Sequence, residues 1–168
     1  MDLSNLHRFS SSDKIIIDAN VLIYVYCPLN GSSSEQFTSH YSSLIQKIVD
    51  AKASVYVNSL VVSEFINYWL RLDYKKSGLV DFKKDYRSSE RYKMTMKTIL
   101  NQLGKFYKHC SAKQLNDGFA TVDLQDKYKS FAESDFNDIV IAENAKINKC
   151  KVLTEDRDFE QYGVEIVK

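Results

Sequence analysis

The feature that most restricts the fold of this 168-residue chain is the stretch IIIDANVLIY, residues 15–24. Three β-branched apolar residues in a row are typical of a strand buried on both faces. We predict a short central strand there, a turn at residues 18–20, and then a helix. The strand ends on Asp18, and a buried carboxylate is costly unless it is protonated, paired or bound to a metal. This position therefore indicates a functional site.

Strand and helix patterns alternate along the rest of the chain. Residues 54–58 (SVYVN) alternate like a strand, and the following SLVVSEFINYWLRLDYKK has the apolar spacing of a helix. Further helices are predicted over residues 81–110, 121–133 and 135–148, and further strands at 151–154 and 164–168. This order predicts one α/β domain over residues 1–168, with a parallel sheet covered by helices on both faces.

Composition restricts the class of protein. The chain is 44% hydrophobic and 27% charged, as is usual for a soluble globular domain, and it has no run of about 18 apolar residues that could span a membrane. We therefore expect a cytoplasmic location and no membrane partner. Its three cysteines and three histidines are scattered, which indicates neither a disulfide framework nor a histidine-based metal site or triad. Any catalysis must rely on carboxylates.

Four carboxylates occupy apolar surroundings or strand ends. They are Asp18, Glu64 in VVSEFINYW, Asp138 in FNDIVIAENA and Asp156 after KVLT. In a parallel sheet all four would lie near the carboxyl ends of the strands, where functional clefts occur. Because converging carboxylates repel one another, they predict bridging by a hard divalent cation, Mg²⁺ or Mn²⁺, as in metal-assisted phosphodiester hydrolysis.

Four segments together give the chain a family resemblance. IIIDANVLIY, SLVVSEFINYW, FNDIVIAENA and KVLTEDRDF occur in the order and spacing of the PIN-domain family, which includes the VapC-type toxin ribonucleases of toxin–antitoxin pairs. The resemblance implies a three-layer α/β/α sandwich and Mg²⁺- or Mn²⁺-dependent cleavage of RNA by activated water. It also implies a cognate antitoxin as a partner and the assembly of two copies of the chain into a homodimer.

The resemblance also implies roles for individual residues. Asp18, Glu64, Asp138 and Asp156 match the metal-site acids, and Asn20 and Thr154 match positions that orient the first and last of them. Ala19 departs from the small hydroxyl residue that members commonly carry, which removes one hydrogen bond beside the metal. Two further acids, Asp135 and Asp158, are weaker candidates. Asp135 is more typical of a first helical turn and Asp158 of an N-cap for FEQY.

The middle of the chain is strongly basic. Between Arg71 and Lys113 there are 12 Lys and Arg against 4 Asp and Glu, a net charge of +8 in a chain of net charge +1, so the remainder carries −7. Tyrosines and phenylalanines interleave with these cations, a mixture that can hold phosphates and stack on unpaired bases. The alternative is a solvated helical face over an aromatic core. The candidate RNA-binding cations are Lys75, Lys76, Lys83, Lys84, Arg87 and Arg91.

Three other functions compete with a ribonuclease. A phosphoacceptor domain with Asp18 as the modified residue would need a lysine at a later strand end, where this chain has Thr154 and Asp156. A catalytically silent PIN-like module that binds RNA or protein would gain nothing from four mutually repelling carboxylates. A nuclease that acts on DNA is the closest alternative, and the sequence leaves it open.

Overall fold

A five-stranded parallel sheet forms the centre of the computed structural model, which describes residues 8–30, 35–123 and 135–168. The strands span Lys14–Ile17 (β1), Ser54–Val57 (β2), Lys113–Gln114 (β3), Lys151–Leu153 (β4) and Ile166–Val167 (β5). They lie in the order β3-β2-β1-β4-β5, and every neighbouring pair is parallel. Helices cover both sides of this sheet, which confirms the predicted α/β class.

Five α-helices lie in the described residues. They span Ala19–Tyr26 (α1), Glu35–Asp50 (α2), Ser59–Ser77 (α3), Glu90–Cys110 (α4) and Phe136–Asn148 (α5). The lysine-rich middle segment is mostly helical as expected, but the single helix predicted over residues 81–110 is divided. A π-helical turn at Phe82–Tyr86 is separated from α4 by turn residues 87–89. Short 3₁₀ turns lie at Pro28–Asn30, Phe119–Thr121 and Asp158–Tyr162.

The central strand is the most buried part of the sheet. Ile15, Ile16 and Ile17 have no exposed surface, because β1 pairs with β2 on one side and β4 on the other. A strand buried on both faces needs apolar residues at every position, which is why the sequence shows a continuous run there. The run therefore fixes β1 in the middle of the sheet.

A buried aspartate joins α3 to α4. Asp73, which is 7% exposed, accepts hydrogen bonds from Tyr86 Oη (2.8 Å), Thr95 Oγ1 (2.9 Å) and the Arg91 guanidinium, at 2.6 and 3.0 Å. Burial would raise the pKa of Asp73, but the hydrogen bonds and the charge of Arg91 outweigh it and hold the pKa below its ordinary value of 3.8. The guanidinium of Arg91, one of the candidate RNA-binding cations, is therefore paired with Asp73 inside the fold.

One prediction of local structure is wrong, one strand was missed, and one predicted helix lies mostly outside the described residues. The turn at residues 18–20 is wrong, since α1 begins at Ala19 and Asp18 is its N-cap. Strand β3 was not predicted, because its two polar residues give no apolar alternation. The helix expected over residues 121–133 lies mostly outside the described residues, and the described part contains only the end of the Phe119–Thr121 turn.

Among the described helices, none combines the length and the apolar character that crossing a membrane requires.

We predict that Asp73→Asn weakens the fold at pH 7 by about 1–3 kcal/mol, because a charged acceptor of four hydrogen bonds becomes neutral. The folded pKa of Asp73 lies below the unfolded value. Its contribution is therefore present above pH 4 or so and is lost as the pH falls through the folded pKa. Urea unfolding at pH 7 and pH 3 should show a smaller loss of stability in Asp73→Asn than in the wild type.

The exposed Asp50 supplies the control, and Asp50→Asn should follow the wild type at both pH values. An Asp73→Asn variant that loses as much stability as the wild type between pH 7 and pH 3 would contradict the prediction.

Candidate functional site

The carboxyl ends of β1 and β4 lie side by side at one edge of the sheet. Ile17 pairs with Leu153 in parallel register, so the next residues on the two strands are Asp18 and Thr154. The backbone N–H of Asp18 donates to the Leu153 carbonyl at 3.0 Å, which continues the ladder to the aspartate. Both polar side chains therefore start from the rigid edge of the sheet.

Both carboxylate oxygens of Asp18 are hydrogen-bonded. Oδ1 accepts from the backbone N–H of Ala19 (2.6 Å), which makes Asp18 the N-cap of α1, and Oδ2 accepts from Thr154 Oγ1 (2.7 Å). Asp18 is 5% exposed. The sequence places it at the junction of a buried strand and a helix, and these two bonds fix its orientation there.

The Thr154 hydroxyl is the centre of the network around Asp18. While it donates to Asp18, it accepts from Asn20 Nδ2 (3.1 Å) and from the backbone N–H of Asp156 (2.9 Å). Asn20 Oδ1 accepts from the N–H of Glu155 (3.3 Å), so the side chain of Asn20 spans α1 and the loop after β4. Thr154 has no exposed surface. This threonine thus holds the two predicted ligands Asp18 and Asp156 in a fixed relation.

Two residues beside this network, Tyr41 and Glu155, were not predicted as part of the site. The Tyr41 hydroxyl, on α2, lies 3.3 Å from the Thr154 carbonyl oxygen and also donates to the Glu155 carboxylate. Tyr41 is fully buried and appears in the sequence only as part of the apolar stripe of α2. Nothing local distinguishes it, because its polar partners lie more than 100 residues away.

Glu64 reaches the same edge from the second turn of α3. Its side chain stands at the exposed mouth of the cleft, yet the surrounding protein desolvates the carboxylate enough to raise its pKa. A hydrogen bond from the Asn137 side chain opposes this rise, and the charge of Asp135 adds to it. Asn137, which the sequence analysis did not identify, therefore connects Glu64 to α5.

The first turn of α5 brings two acids to the cleft. Asp135 is the N-cap, and its Oδ1 accepts from the backbone N–H of Asn137 at 2.7 Å. Asp138 follows in the first turn and is partly buried. Asp135 thus acts as a cap rather than as an ordinary first-turn residue, and Asp138 faces the other acids.

The loop after β4 supplies the remaining acids. Asp156 Oδ1 accepts from the backbone N–H of Asp158 at 2.8 Å, which closes a short turn. The expectation that Asp158 caps the FEQY segment is wrong, since Asp158 lies inside the 3₁₀ turn and its N-cap position is Arg157. Asp158 is exposed at the cleft edge.

All the predicted acids line one cleft of about 430 Å³. They come from the end of β1, from α3, from the start of α5 and from the loop after β4. The residues that line it are Asp18, Asn20, Glu64, Asp135, Asn137, Asp138, Asp156 and Asp158. Tertiary structure therefore brings together acids that are up to 140 residues apart in the sequence.

The residues that line this cleft include six carboxylates and no Lys or Arg. Burial raises the pKa of Asp18 to about 6 despite the hydrogen bonds from Thr154 and Ala19, and the charges of Glu64 and Asp156 add to the rise. Burial also raises the pKa of Asp138 to about 7, together with repulsion from Asp18, Asp135, Asp156 and Glu64. Mutual repulsion of this kind is relieved either by protonation or by a bound cation.

The donor set of the cleft suits a hard divalent cation. It consists of six carboxylates and two amides, and oxygen-rich sets of this kind bind Mg²⁺ and Mn²⁺. Within residues 8–30, 35–123 and 135–168, no three His, Cys, Asp or Glu side chains are close enough together to form a ready-made metal site. The donor chemistry of the cleft therefore fits a divalent cation. To bind one, the carboxylates would have to move closer together than they are in this structure.

The basic segment lies away from the cleft. Lys75 and Lys76 follow Glu64 by 11 and 12 residues on α3, about 17 Å along the helix axis. Lys75, Lys83, Lys84 and Arg87 are exposed, whereas Arg91 is held by Asp73. The aromatic residues of this segment mostly pack on one another, and Tyr86 and Phe106 are buried, so these two rings do not stack on bases.

We predict that Thr154→Val weakens Mg²⁺ or Mn²⁺ binding by about 10–100-fold while keeping the shape of the side chain. The substitution removes the hydrogen bond that orients Asp18 and leaves the Asn20 amide and the Asp156 N–H without their acceptor. The metal-free protein should also lose about 1–3 kcal/mol of stability. Calorimetric titration with Mn²⁺ measures the first effect, and Thr154→Ser should restore most of the affinity.

We predict that Asp138→Asn stabilises the metal-free protein at pH 7.5, since it removes one charge from a group of repelling carboxylates. The melting temperature in EDTA should rise by about 2–4 °C for each kcal/mol of repulsion removed. Addition of Mg²⁺ should raise the melting temperature of the wild type more than that of the variant. A variant that melts below the wild type in EDTA would show that the carboxylates do not repel one another.

Two comparisons with known proteins bear on the family of this chain. No curated protein matches the sequence significantly. The family model of the PIN domain, however, matches residues 15–165, which include all four strand-end and helix segments that carry the acids. PIN domains are generally nucleases and typically use divalent metals. The chain belongs to the PIN-domain family.

Proposed function

We propose that this protein is a metal-dependent endoribonuclease that hydrolyses RNA phosphodiester bonds with an activated water. The observation that carries the proposal is the convergence of Asp18, Glu64, Asp138 and Asp156 on one cleft at the carboxyl ends of β1 and β4. Membership in a family of nucleases supports the reaction type. RNA as the substrate rests on the resemblance of the four acid-bearing segments to VapC-type ribonucleases.

The four acids would hold Mg²⁺ or Mn²⁺, with Asp135 and Asp158 close by. A bound cation would neutralise charge on the phosphate and activate the attacking water. The remaining residues would position these acids: Thr154 orients Asp18, Asn20 holds the Thr154 hydroxyl in place, and Asn137 orients Glu64. Because these partners start from strand ends and helix turns, they hold the carboxylates on rigid elements.

The basic segment would bind the RNA backbone outside the cleft. The acidic cleft itself repels phosphate, so an RNA substrate needs cations elsewhere. The exposed side chains of Lys75, Lys83, Lys84 and Arg87 offer them, at the far end of α3 and in the turn after it. Lys76 is also exposed, although its Nζ lies 3.3 Å from the Leu29 carbonyl oxygen. Contacts of this kind would make binding weaken as the salt concentration rises.

We further propose that the protein acts in the cytoplasm as the toxin of a toxin–antitoxin pair and works as a homodimer. Support for these partners comes only from the resemblance of the four segments. A cognate antitoxin would restrain the nuclease, so a chain expressed without one should arrest growth.

We predict that the purified protein cuts total cellular RNA into discrete fragments in Mg²⁺ or Mn²⁺. EDTA should abolish the cleavage, and Asp138→Asn should lower its rate by at least about 100-fold, as expected when a group at the reacting centre is lost. Gel electrophoresis and end mapping of the fragments measure both effects. Single-stranded DNA of the same length tests the choice of nucleic acid.

The control is Asp50→Asn, at an exposed position on α2 that does not line the cleft; it should cut RNA like the wild type. Expression of the wild type and of Asp50→Asn in cells should arrest growth, whereas Asp138→Asn should not. Cleavage that persists in Asp138→Asn or in EDTA would exclude the proposed mechanism. A cleft that binds metal without cleaving RNA or DNA would favour the binding-module alternative.

A further inference from the structure

A second groove lies beside the acidic cleft. It has a volume of about 470 Å³ and is formed where β2 and β3 end and α3 begins. Its walls are mainly apolar, with several amide and hydroxyl groups among them. None of its lining residues belongs to the acidic cleft. A concave apolar site with a few polar groups is the usual form of a small-ligand site.

The groove and the cleft share one edge of the sheet. β1 and β2 pair in parallel with Ile16 opposite Tyr56, and two residues further along both strands this register sets Asn58 opposite Asp18. Neighbouring strands lie about 4.8 Å apart. On α3, Ser63 lines the groove and the adjacent Glu64 lines the cleft. A ligand that extends over both sites would therefore pass across the first turns of α3.

One buried polar group in the groove has no hydrogen-bond partner within residues 8–30, 35–123 and 135–168. Asn58 is 2% exposed, and its Oδ1 accepts from the backbone N–H of Val61 at 3.1 Å. Its Nδ2 has no hydrogen-bond partner among the residues that the structure describes. An unsatisfied buried donor is costly and is uncommon in folded proteins. Because Asn58 lines the groove, a ligand bound there would lie against this side chain.

The groove walls suit a flat, heteroatom-rich ring. Val62, Ile66 and Leu115 supply apolar surface, and Tyr107 supplies an aromatic ring that is only partly buried. Asn67 and Gln114 add exposed side-chain amides, which offer both donors and acceptors, although Asn67 Nδ2 also donates to Ser63 Oγ at 3.3 Å. Unpaired nucleobases are bound by this combination of stacking and amide hydrogen bonds.

The charge at the groove favours a neutral ring over a phosphate. The Ser59 hydroxyl donates to Asp117 Oδ2 at 2.9 Å, so an anionic side chain stands at the groove. The lining residues themselves include no Lys or Arg. A phosphate in the groove would meet repulsion without compensation, whereas a base would not.

We propose that this groove binds one unpaired nucleobase of the RNA, next to the phosphate that is cut in the acidic cleft. The inference rests on the proposed function for its substrate, although base binding itself needs no cleavage. The groove would select single-stranded RNA, because a base inside a duplex has its edge paired and its faces stacked. It would also add a preference for one or more bases at a fixed distance from the cut.

The test is titration of the full-length protein in EDTA with adenosine, cytidine, uridine and inosine, which carry a base but no phosphate for the acidic cleft to repel. Binding is followed by NMR of the side-chain amides and Tyr107. We expect at least one nucleoside to bind and to shift the Asn58 and Gln114 amide signals, while inorganic phosphate does not. Ile66→Trp, which fills the groove, and Gln114→Leu, at an exposed position, should each weaken binding by at least about tenfold. Gln161→Leu, the same change at an exposed position that does not line the groove, should bind like the wild type.

Absence of any nucleoside-dependent shift at about 10 mM would overturn the proposal, since even a fragment-sized ligand should bind a preformed site at that concentration. Undiminished binding in both Ile66→Trp and Gln114→Leu would overturn it as well. Nucleoside binding together with inactivity on RNA would support the groove and refute the proposed ribonuclease. RNA cleavage without nucleoside binding would support the ribonuclease and refute the base site, leaving the groove to another occupant such as a peptide.

Discussion

The hydrogen bond between the Thr154 hydroxyl and the Asp18 carboxylate, 2.7 Å long and excluded from solvent, is the contact on which the site depends. It joins the ends of two neighbouring strands, and the same hydroxyl accepts from Asn20 and from the backbone of Asp156. A buried carboxylate without such partners would stay protonated or destabilise the fold. Because one small hydroxyl serves three partners, the acids at the strand ends keep a fixed relation even without a cation.

Repulsion among the acids of the cleft opposes the fixed arrangement of Asp18 and Asp156. Asp138 faces four other carboxylates, and burial and their charges raise its pKa to about 7. The acidic cluster thus lowers the stability of the metal-free fold, and it becomes favourable only when a cation or a proton binds to it. The cluster is held by elements that are stable for other reasons: the isoleucines of β1 are fully buried, and Asp73 ties α3 to α4 through four hydrogen bonds.

Opposite charges are segregated to different parts of the molecule. The acids lie at the carboxyl ends of β1 and β4 and near the starts of α3 and α5, while the cations lie at the far end of α3 and beyond it. A nucleic acid can then contact cations without bringing them into the cleft, where they would neutralise the acids that must hold a metal. The apolar groove at the ends of β2 and β3 lies next to the cleft and offers a surface for the base rather than for the backbone.

The sequence by itself determined the α/β class, the central strand and the acids of the cleft. Each of these has a local signal, such as a continuous apolar run or a carboxylate at a strand end. It did not indicate strand β3, whose two polar residues have no apolar pattern, or Tyr41, whose partners are more than 100 residues away. It also left open base stacking by the aromatic residues of the basic segment, of which the tertiary structure buries Tyr86 and Phe106. Only the folded chain decides such contacts, because they depend on which faces of distant helices meet, and that choice is made by packing over the whole sheet.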